Sequence, residues 1–108
     1  MSQVRSVNGD ILDSLVKQKE IVVCKFFKPG CGACQEFKNV YLNIAREING
    51  PTYVEIDVTK NENISTRYGI QYLPTTKIYF RGGVETFIGN QRENITDSLR
   101  LKLSQAGY

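Results

Sequence analysis

The fold of this chain is decided by residues 21–37, which read IVVCKFFKPGCGACQEF. The first seven residues form a nearly continuous apolar, β-branched and aromatic run, which is typical of a central strand covered on both faces. Pro29 and Gly30 interrupt that run, and an apolar stripe at helical spacing follows. The stripe consists of Cys34, Phe37, Tyr41, Ile44 and Ile48. The stretch therefore predicts a buried strand, a sharp break and a long helix in direct succession.

The rest of the chain alternates between strand-like and helix-like segments. Strand patterns occur over residues 3–7, 53–58, 75–80 and 84–88. Helix patterns occur after a cap at Asn8 or Asp10, over residues 61–67, and after a cap at Asn94 or Thr96. The order β-α-β-α-β-α-β-β-α requires parallel pairing through helical crossovers, and Arg-Gly-Gly at 81–83 predicts a closing hairpin. We therefore expect an α/β fold in which a mixed central β-sheet is flanked by helices on both faces.

Length and charge indicate one globular domain over residues 1–108. The chain has 108 residues, a net charge of +3 and 41% hydrophobic residues, and domains commonly span about 100–150 residues. The mild, scattered charge argues against a nucleic-acid partner. No apolar run approaches the roughly 20 residues that span a bilayer, and the N-terminal residues do not read as a signal peptide. We therefore expect a monomeric, cytoplasmic protein that associates with neither nucleic acid nor membrane.

Residue composition limits the available chemistry. The chain contains no histidine and three cysteines. Lack of histidine excludes a Cys–His nucleophile pair and histidine metal ligands, and three cysteines are too few for a framework of structural disulfides. A zinc site needs four ligands, so a metal site within the chain is disfavoured, whereas one that bridges two chains stays an alternative. We expect no bound metal or cofactor, and any catalysis must come from cysteine, carboxylate, lysine or tyrosine.

Cys31-Gly32-Ala33-Cys34 places two thiols where the central strand ends and the long helix begins. Residues i and i+3 at a helix start lie on one face and can close a small disulfide ring. Free N–H groups and the helix dipole favour an anion here, so we expect a depressed pKa and a reactive thiolate at Cys31. Cys34, one turn further in, should be the more buried, resolving thiol. An alternative is that Cys31 and Cys34 are merely buried thiols without redox chemistry.

The third cysteine, Cys24, lies in mid-strand and is predicted to be buried and inert.

Several motifs in addition to the cysteine pair resemble the thioredoxin family. They are Phe26-Phe27, the C-G-x-C helix start, residues 68–75 (YGIQYLPT), residues 80–83 (FRGG) and Ile88-Gly89. The resemblance covers nearly the whole chain in order. It implies a thioredoxin-like fold and a thiol–disulfide oxidoreductase that reduces or exchanges protein disulfides through Cys31 and Cys34. It also implies disulfide-containing protein substrates and electrons supplied by a reductase or another thiol donor.

The resemblance further assigns residues around the two thiols. The family has a cis proline that faces the disulfide, and the residue before it pairs its backbone with the substrate chain. Pro74 and Leu73 take these positions, and a cis bond is tolerated essentially only before proline. By the same resemblance, the small apolar rim that receives partner proteins consists of Gly32, Ala33, Leu73, Pro74, Ile88 and Gly89.

Four departures from the family pattern bear on the activity. Where the family has W-C-G-P-C, this chain has Gly30 before the first cysteine and Ala33 before the second. Lys25 occupies the position of a buried family aspartate, and the family's partner lysine falls at Tyr53. These changes leave redox potential and substrate choice open. Two alternatives are therefore kept: an oxidase or isomerase with the same chemistry, and a thioredoxin-fold interaction module with incidental redox activity.

Lys25 is a candidate for tuning the thiol chemistry. Strand alternation places it on one face with Val23 and Phe27, and the resemblance places it beneath Cys34. In one interpretation its stem packs while its ammonium reaches solvent. In a second, burial disfavours the charged form, so that a neutral amine accepts the proton of Cys34. In a third, a retained charge favours the thiolates and makes the couple more oxidising.

Overall fold

The order of helices and strands follows the predicted alternation. The computed structural model describes residues 4–60 and 63–108. Its strands are β1 (Val4–Ser6), β2 (Ile21–Phe27), β3 (Thr52–Asp57), β4 (Thr75–Phe80) and β5 (Gly83–Ile88). Its helices are α1 (Gly9–Gln18), α2 (Gly32–Glu47), α3 (Ile64–Tyr68) and α4 (Arg92–Gln105). The predicted starts of the first strand at residue 3 and of the third helix at 61–62 lie outside the described residues.

The strands form one mixed sheet in the order β1-β3-β2-β4-β5. Strand β2 lies at its centre, parallel to β3 and antiparallel to β4. Strand β1 adds in parallel to β3, and β5 pairs antiparallel with β4. Six of the seven residues of β2 are buried, as the continuous apolar run predicts for a central strand.

Helices cover both faces of this sheet, as predicted. On one face, α2 and α4 contribute Phe37, Tyr41, Ile44, Ile95 and Leu99 to a core cluster. On the other, α1 and α3 contribute Leu12, Leu15 and Ile64. Alternation along β2 divides its side chains between the two layers, so that Val23 joins the first cluster while Val22 and Cys24 join the second. No helix within residues 4–60 and 63–108 combines the length and the apolar character of a membrane span.

Helix α1 begins at the predicted cap. The Asn8 side-chain oxygen accepts a hydrogen bond from the Ile11 N–H at 2.9 Å, which satisfies one of the free donors of the first turn. Leu12 and Leu15 are buried, but Ile11 is 41% exposed. The helical spacing of Ile11, Leu12, Leu15 and Val16 predicts an apolar stripe, and the buried part of this stripe is narrower because Ile11 is exposed.

The start of α4 is not at Asn94 or Thr96, so that prediction is wrong. The helix begins at Arg92, with Gln91 as an N-cap that makes no side-chain capping bond. The N–H of Ile95 donates to the Gln91 carbonyl at 2.9 Å, and Ile95 is fully buried. Packing of the apolar face stabilises the helix more than a cap does, so the helix extends upstream past the better capping residues.

Candidate active site

The two vicinal thiols lie at the junction between β2 and α2. Cys31 is the N-cap residue of α2 in extended conformation, and its Sγ accepts a hydrogen bond from the Cys34 N–H at 3.1 Å. The preceding Gly30 has φ +76°, a backbone conformation that glycine adopts without strain. The Cα atoms of Cys31 and Cys34 are 5.2 Å apart, and their sulfurs form a disulfide.

Burial distinguishes the two sulfurs. Cys34 is 5% exposed, whereas Cys31 is half-buried and flanked by the exposed Gly32 and Ala33. The first turn of α2 carries no acidic residue, so its free N–H groups and dipole act on Cys31 without an opposing carboxylate in that turn. The prediction that Cys34 lies deeper than Cys31 is confirmed.

The loop before β4 lies against Cys31. The Leu73–Pro74 peptide bond is cis, as the resemblance implies, and the Leu73 carbonyl oxygen is 3.9 Å from the Sγ of Cys31. The Thr75 hydroxyl donates to the Tyr72 carbonyl at 2.6 Å and holds the bend. The N–H of Gly89 donates to the Pro74 carbonyl at 2.9 Å. These bonds bring the end of β5 beside the disulfide.

The six predicted rim residues therefore come together around Cys31, with different exposures. Gly32, Ala33 and Ile88 are exposed, Leu73 and Gly89 are half-buried, and Pro74 is buried. Tyr72, which sequence reasoning missed, adds an aromatic side chain that is 60% exposed next to Leu73. Its signal was an aromatic residue in a loop, two residues before Pro74.

Lys25 is buried, and its ammonium does not reach solvent. Its Nζ lies 3.1 Å from Oε1 of Glu55, with side-chain exposures of 4% and 24%. The same Nζ is 5.1 Å from the ring centres of both Phe27 and Tyr41, a distance at which an aromatic face attracts a cation. The interpretation in which Lys25 extends into water is therefore wrong.

The partner of Lys25 is Glu55, so the assignment of the partner position to Tyr53 is also wrong. In the β2–β3 register Lys25 lies opposite Glu55, and Tyr53 lies opposite Val23. The Tyr53 hydroxyl instead donates to the Ile48 carbonyl at 2.7 Å. Sequence reasoning missed Glu55 because the register of two parallel strands depends on packing between segments distant in sequence.

A cavity of about 200 Å³ connects Lys25 with the dithiol. Its lining consists of Lys25, Phe27, Lys28, Pro29, Cys34, Gln35, Lys38 and Glu55. The position of Lys25 beneath the second cysteine, implied by the resemblance, is thus reproduced by the geometry. Cys34 and a buried ion pair share one cavity wall.

The third cysteine is separate from this chemistry. Cys24 is free, fully buried and part of the α1/α3 core cluster. Burial raises the pKa of its thiol well above 9.0, Glu55 raises it further, and Lys25 lowers it. The prediction of a buried thiol is confirmed. Among residues 4–60 and 63–108, no cluster of three or more metal-ligating side chains occurs.

Comparison with known proteins agrees with this geometry. The thioredoxin family model matches residues 3–101. Thioredoxin of Echinococcus granulosus is 30% identical over 82 residues, which are 76% of each chain. Protein disulfide-isomerase of Aspergillus oryzae is 32% identical over 107 residues, 95% of this chain but only 21% of that protein. The chain thus spans about a fifth of this larger relative.

Solved structures show the same fold. Thioredoxin f from spinach chloroplast superposes with a TM-score of 0.84 at 24% identity, covering 94% of each chain. Reduced thioredoxin pre-protein of Schistosoma mansoni superposes with a TM-score of 0.80 at 25% identity, covering 93% of this chain and 98% of the other. With a cysteine pair at disulfide distance, the chain belongs to the thioredoxin family and is a thiol–disulfide oxidoreductase.

Proposed function

We propose that the chain reduces disulfides of protein substrates, with Cys31 as the attacking thiol and Cys34 as the resolving thiol. The observation that carries this proposal is the unequal placement of the two sulfurs. Cys31 is accessible and accepts the Cys34 N–H at 3.1 Å at the start of α2, whereas Cys34 is 5% exposed. A thiolate is the attacking species in disulfide exchange, and the accessible helix-terminal sulfur is the one that α2 stabilises as an anion.

In the first step, the Cys31 thiolate attacks one sulfur of the substrate disulfide. A mixed disulfide forms between Cys31 and the substrate, and the second substrate sulfur leaves as a thiolate that takes a proton from solvent. The N–H groups of the first turn of α2 compensate the negative charge on Cys31 before the attack.

In the second step, Cys34 loses its proton to solvent, and the resulting thiolate attacks the Sγ of Cys31. The bond between Cys31 and substrate breaks, the remaining substrate sulfur leaves as a thiolate and is protonated, and the Cys31–Cys34 disulfide closes. The Cα separation of 5.2 Å lies within the range that a disulfide bridges without backbone movement. Two electrons have then passed from the dithiol to the substrate.

The substrate chain is proposed to bind along the rim defined above. The Leu73 backbone lies next to Cys31 through the 3.9 Å approach of its carbonyl, so a peptide that pairs with Leu73 would present its disulfide to that sulfur. Ile88 is 50% exposed and Tyr72 is 60% exposed, and both would contact apolar side chains of a partner. Leu73→Pro should weaken protein disulfide reduction more than reduction of a small disulfide.

Recycling of the dithiol needs an external electron source. We propose that a reductase or another thiol donor supplies it, that the protein works as a monomer, and that it acts in the reducing cytoplasm. Support comes from the chemistry of the dithiol, which holds two electrons and is exhausted after one substrate disulfide. Sedimentation of the purified chain, with and without substrate, tests the monomer.

Single cysteine variants test the division of roles. Cys31→Ser should abolish reduction of insulin disulfides, whereas Cys34→Ser should accumulate a covalent mixed disulfide with insulin on a non-reducing gel. Cys24→Ala is the matched control, since Cys24 is buried in the opposite layer, and should retain full turnover. Trapping by Cys31→Ser instead of Cys34→Ser would reverse the assignment, and turnover by Cys31→Ser would refute the proposal.

A second candidate is net oxidation or isomerisation of substrate disulfides. It is favoured by one observation, the Lys25 ammonium in the wall of the cavity beneath Cys34, because a cation there stabilises the thiolate of the reduced form and makes the couple more oxidising. Equilibration of the dithiol with glutathione buffers separates the two. A potential near that of a strong reductant supports reduction, and one near that of disulfide isomerases supports the second candidate.

A further inference from the structure

A row of polar side chains crosses the sheet beneath the active site. Strand register places Ser6 of β1 opposite Glu55 of β3, Glu55 opposite Lys25 of β2, and Lys25 opposite Thr76 of β4. The neighbouring positions of β2, by contrast, are occupied by Cys24 and Phe26, which belong to the core cluster on the other face. Four strands therefore contribute one residue each to a single polar row.

Hydrogen bonds fix the orientation of Glu55 within this row. Its Oε2 accepts a hydrogen bond from the Ser6 hydroxyl at 3.0 Å, and its Oε1 lies 3.1 Å from the Lys25 Nζ. The glutamate side chain is 24% exposed and the lysine side chain 4% exposed. The row thus runs from a partly exposed carboxylate to a buried ammonium.

The surroundings of Lys25 suit a cation and make it dependent on Glu55. Two aromatic rings lie 5.1 Å from its Nζ and attract a cation more than a neutral amine. The Thr76 hydroxyl next in the row is fully buried and has no hydrogen-bond partner among the described residues. A buried charge is strongly destabilising without a partner, so Glu55 is the group that makes the cation tolerable.

Both members of the ion pair line the cavity that contains Cys34. Their opposite effects are visible on the neighbouring thiol, Cys24, whose pKa is raised first by burial, raised further by Glu55 and lowered by Lys25. At Cys34 the same two charges must also oppose each other, because both line the cavity that contains this sulfur. The two charges therefore make contributions of opposite sign to the electrostatic potential at this sulfur.

We propose that Glu55 sets the redox poise of the Cys31–Cys34 dithiol by offsetting the charge of Lys25 in the cavity beneath Cys34. Glu55 is then a positioning and tuning residue, which acts on the reacting sulfur through Lys25 and touches no substrate. The inference rests on the dithiol chemistry proposed above. It adds the group that decides whether the dithiol tends to reduce or to oxidise its substrates.

The affected equilibrium is the exchange of the protein disulfide with two molecules of glutathione. Two glutathione thiols give two electrons and two protons to the Cys31–Cys34 bond, which opens to a dithiol, and the glutathione sulfurs join as a disulfide. When Cys34 or Cys31 releases its proton to solvent, the resulting thiolate is stabilised by Lys25 and destabilised by Glu55. Removing either charge must therefore move the equilibrium, in opposite directions.

Two isosteric substitutions test this directly. Glu55→Gln keeps an oxygen that can accept from Lys25 but removes the negative charge, so the dithiol should become more oxidising. Lys25→Met keeps the packed stem but removes the positive charge, so the dithiol should become more reducing. We expect each to change the glutathione equilibrium constant by about tenfold, which is about 30 mV for a two-electron couple.

The ultraviolet absorbance of the thiolate, recorded against pH, gives a second readout that a purely structural role would not change. The midpoint of this titration should shift to lower pH in Glu55→Gln and to higher pH in Lys25→Met. The other titratable groups that face this region are Lys28 and Lys38 at the cavity, Asp57 and Lys60 in the neighbouring pocket that Glu55 also lines, and Cys24 and Tyr41 beside the ion pair. Tyr41 and Cys24 have pKa values raised well above normal by burial, so Cys24→Ala serves as the background in which the absorbance is recorded.

Three further variants separate an electrostatic effect on the redox potential from a general effect of substitution on the fold. Asp97→Asn removes an exposed carboxylate of α4 outside the cavity and should leave the potential unchanged. The double variant Lys25→Met/Glu55→Gln removes both charges, so its potential should fall between those of the two single variants. The exchanged pair Lys25→Glu/Glu55→Lys keeps an ion pair, so it preserves a folded protein even if Glu55→Gln does not, and should be more reducing than wild type.

Shifts in the same direction for Glu55→Gln and Lys25→Met, or no shift in folded Glu55→Gln, would overturn the inference. An unshifted or more oxidising exchanged pair would overturn it too. A different result would refute the proposed function: wild-type protein that does not reduce insulin although its dithiol equilibrates with glutathione. In that case opposite shifts in the variants would still support the role of Glu55.

Discussion

Cys24 lies next to Lys25 on the central strand and close to a reactive dithiol, yet its surroundings make it inert. It is fully buried, and burial raises the pKa of its thiol well above 9.0. A thiol reacts as its thiolate and only when a reagent can reach it. Both requirements fail for Cys24 in the folded protein.

Alkylation of the reduced protein near neutral pH should therefore modify Cys31 first and leave Cys24 untouched. Mass spectrometry of peptides after a timed reaction with iodoacetamide identifies the order. In denaturant all three thiols should react, which shows that Cys24 is protected by the fold alone. Modification of Cys24 at the rate of Cys31 in native protein would contradict the burial argument.

Gly30 shows how a single backbone angle constrains the turn that precedes the dithiol. Its φ is +76°, and a Cβ added there would meet nothing within 4 Å. The cost of a side chain is therefore conformational and not steric.

Gly30→Ala should lower the free energy of unfolding by about 1 kcal/mol, because an L-residue is strained at positive φ. Gly32→Ala is the matched control, since Gly32 begins α2 without a positive φ and also has open space around its Cα. Urea unfolding of both variants gives the comparison. Equal midpoints for the two would show that the turn relaxes at no cost.

At the scale of elements, a contact between α1 and α3 supports the loop that carries Pro74. The Tyr68 hydroxyl donates to Oδ1 of Asp13 at 2.6 Å and lies 3.0 Å from the Gly9 carbonyl. Arg67 forms an ion pair with the same carboxylate. Since α3 ends at Tyr68, this contact fixes the start of residues 69–74, which lead to the bend beside Cys31.

Asp13→Asn should therefore destabilise the protein at neutral pH and have little effect in acid. Burial works to raise the pKa of Asp13, but hydrogen bonds from Tyr68 and Arg67 outweigh it and hold the pKa below 3.8. The contribution of a carboxylate with a lowered pKa is complete above 3.8 and disappears as the pH falls through the folded-state value. The side chain is 46% exposed, so water screens the pair and we expect about 0.5–1 kcal/mol.

Urea unfolding of wild type and Asp13→Asn, at neutral pH and at a pH below the folded-state pKa, measures this difference. Asp97→Asn, an exposed carboxylate on α4, provides the control for the loss of one charge. A penalty that is the same at both pH values would show that Asp13 acts through packing and not through its charge.

For the whole molecule, the dithiol couples redox state to folding stability. The Cys31–Cys34 bond closes a ring of sequence separation 3, and loop-closure entropy for so short a ring is about 2 kcal/mol. The oxidised protein should therefore be more stable than the reduced protein by about that amount. Urea unfolding with and without a reductant measures the difference, and Cys31→Ser/Cys34→Ser should show none. A reduced protein as stable as the oxidised one would contradict this expectation and mean that the folded state favours the open dithiol.

Much of the fold follows from local sequence because its signals are local. The apolar run of residues 21–27, the break at Gly30 and the stripe that begins at Cys34 act over one strand or a few helical turns. They identify β2, α2 and the cysteine pair between them, whatever the rest of the chain does. Pro74 and the rim around it could be assigned only through resemblance, because nothing in the local sequence requires a cis bond there.

The remainder depended on contacts between segments distant in sequence. Packing of Ile95 against the sheet moved the start of α4 upstream of Asn94, against capping preference. The register between parallel strands placed Glu55, and not Tyr53, opposite Lys25. The ammonium of Lys25 is buried and paired with Glu55 because α2 packs over it with Tyr41. The sequence by itself determined the two sulfurs and the elements that present them. Only the tertiary structure decided which charges surround Cys34, because strand register and burial are properties of the assembled layers and of no single segment.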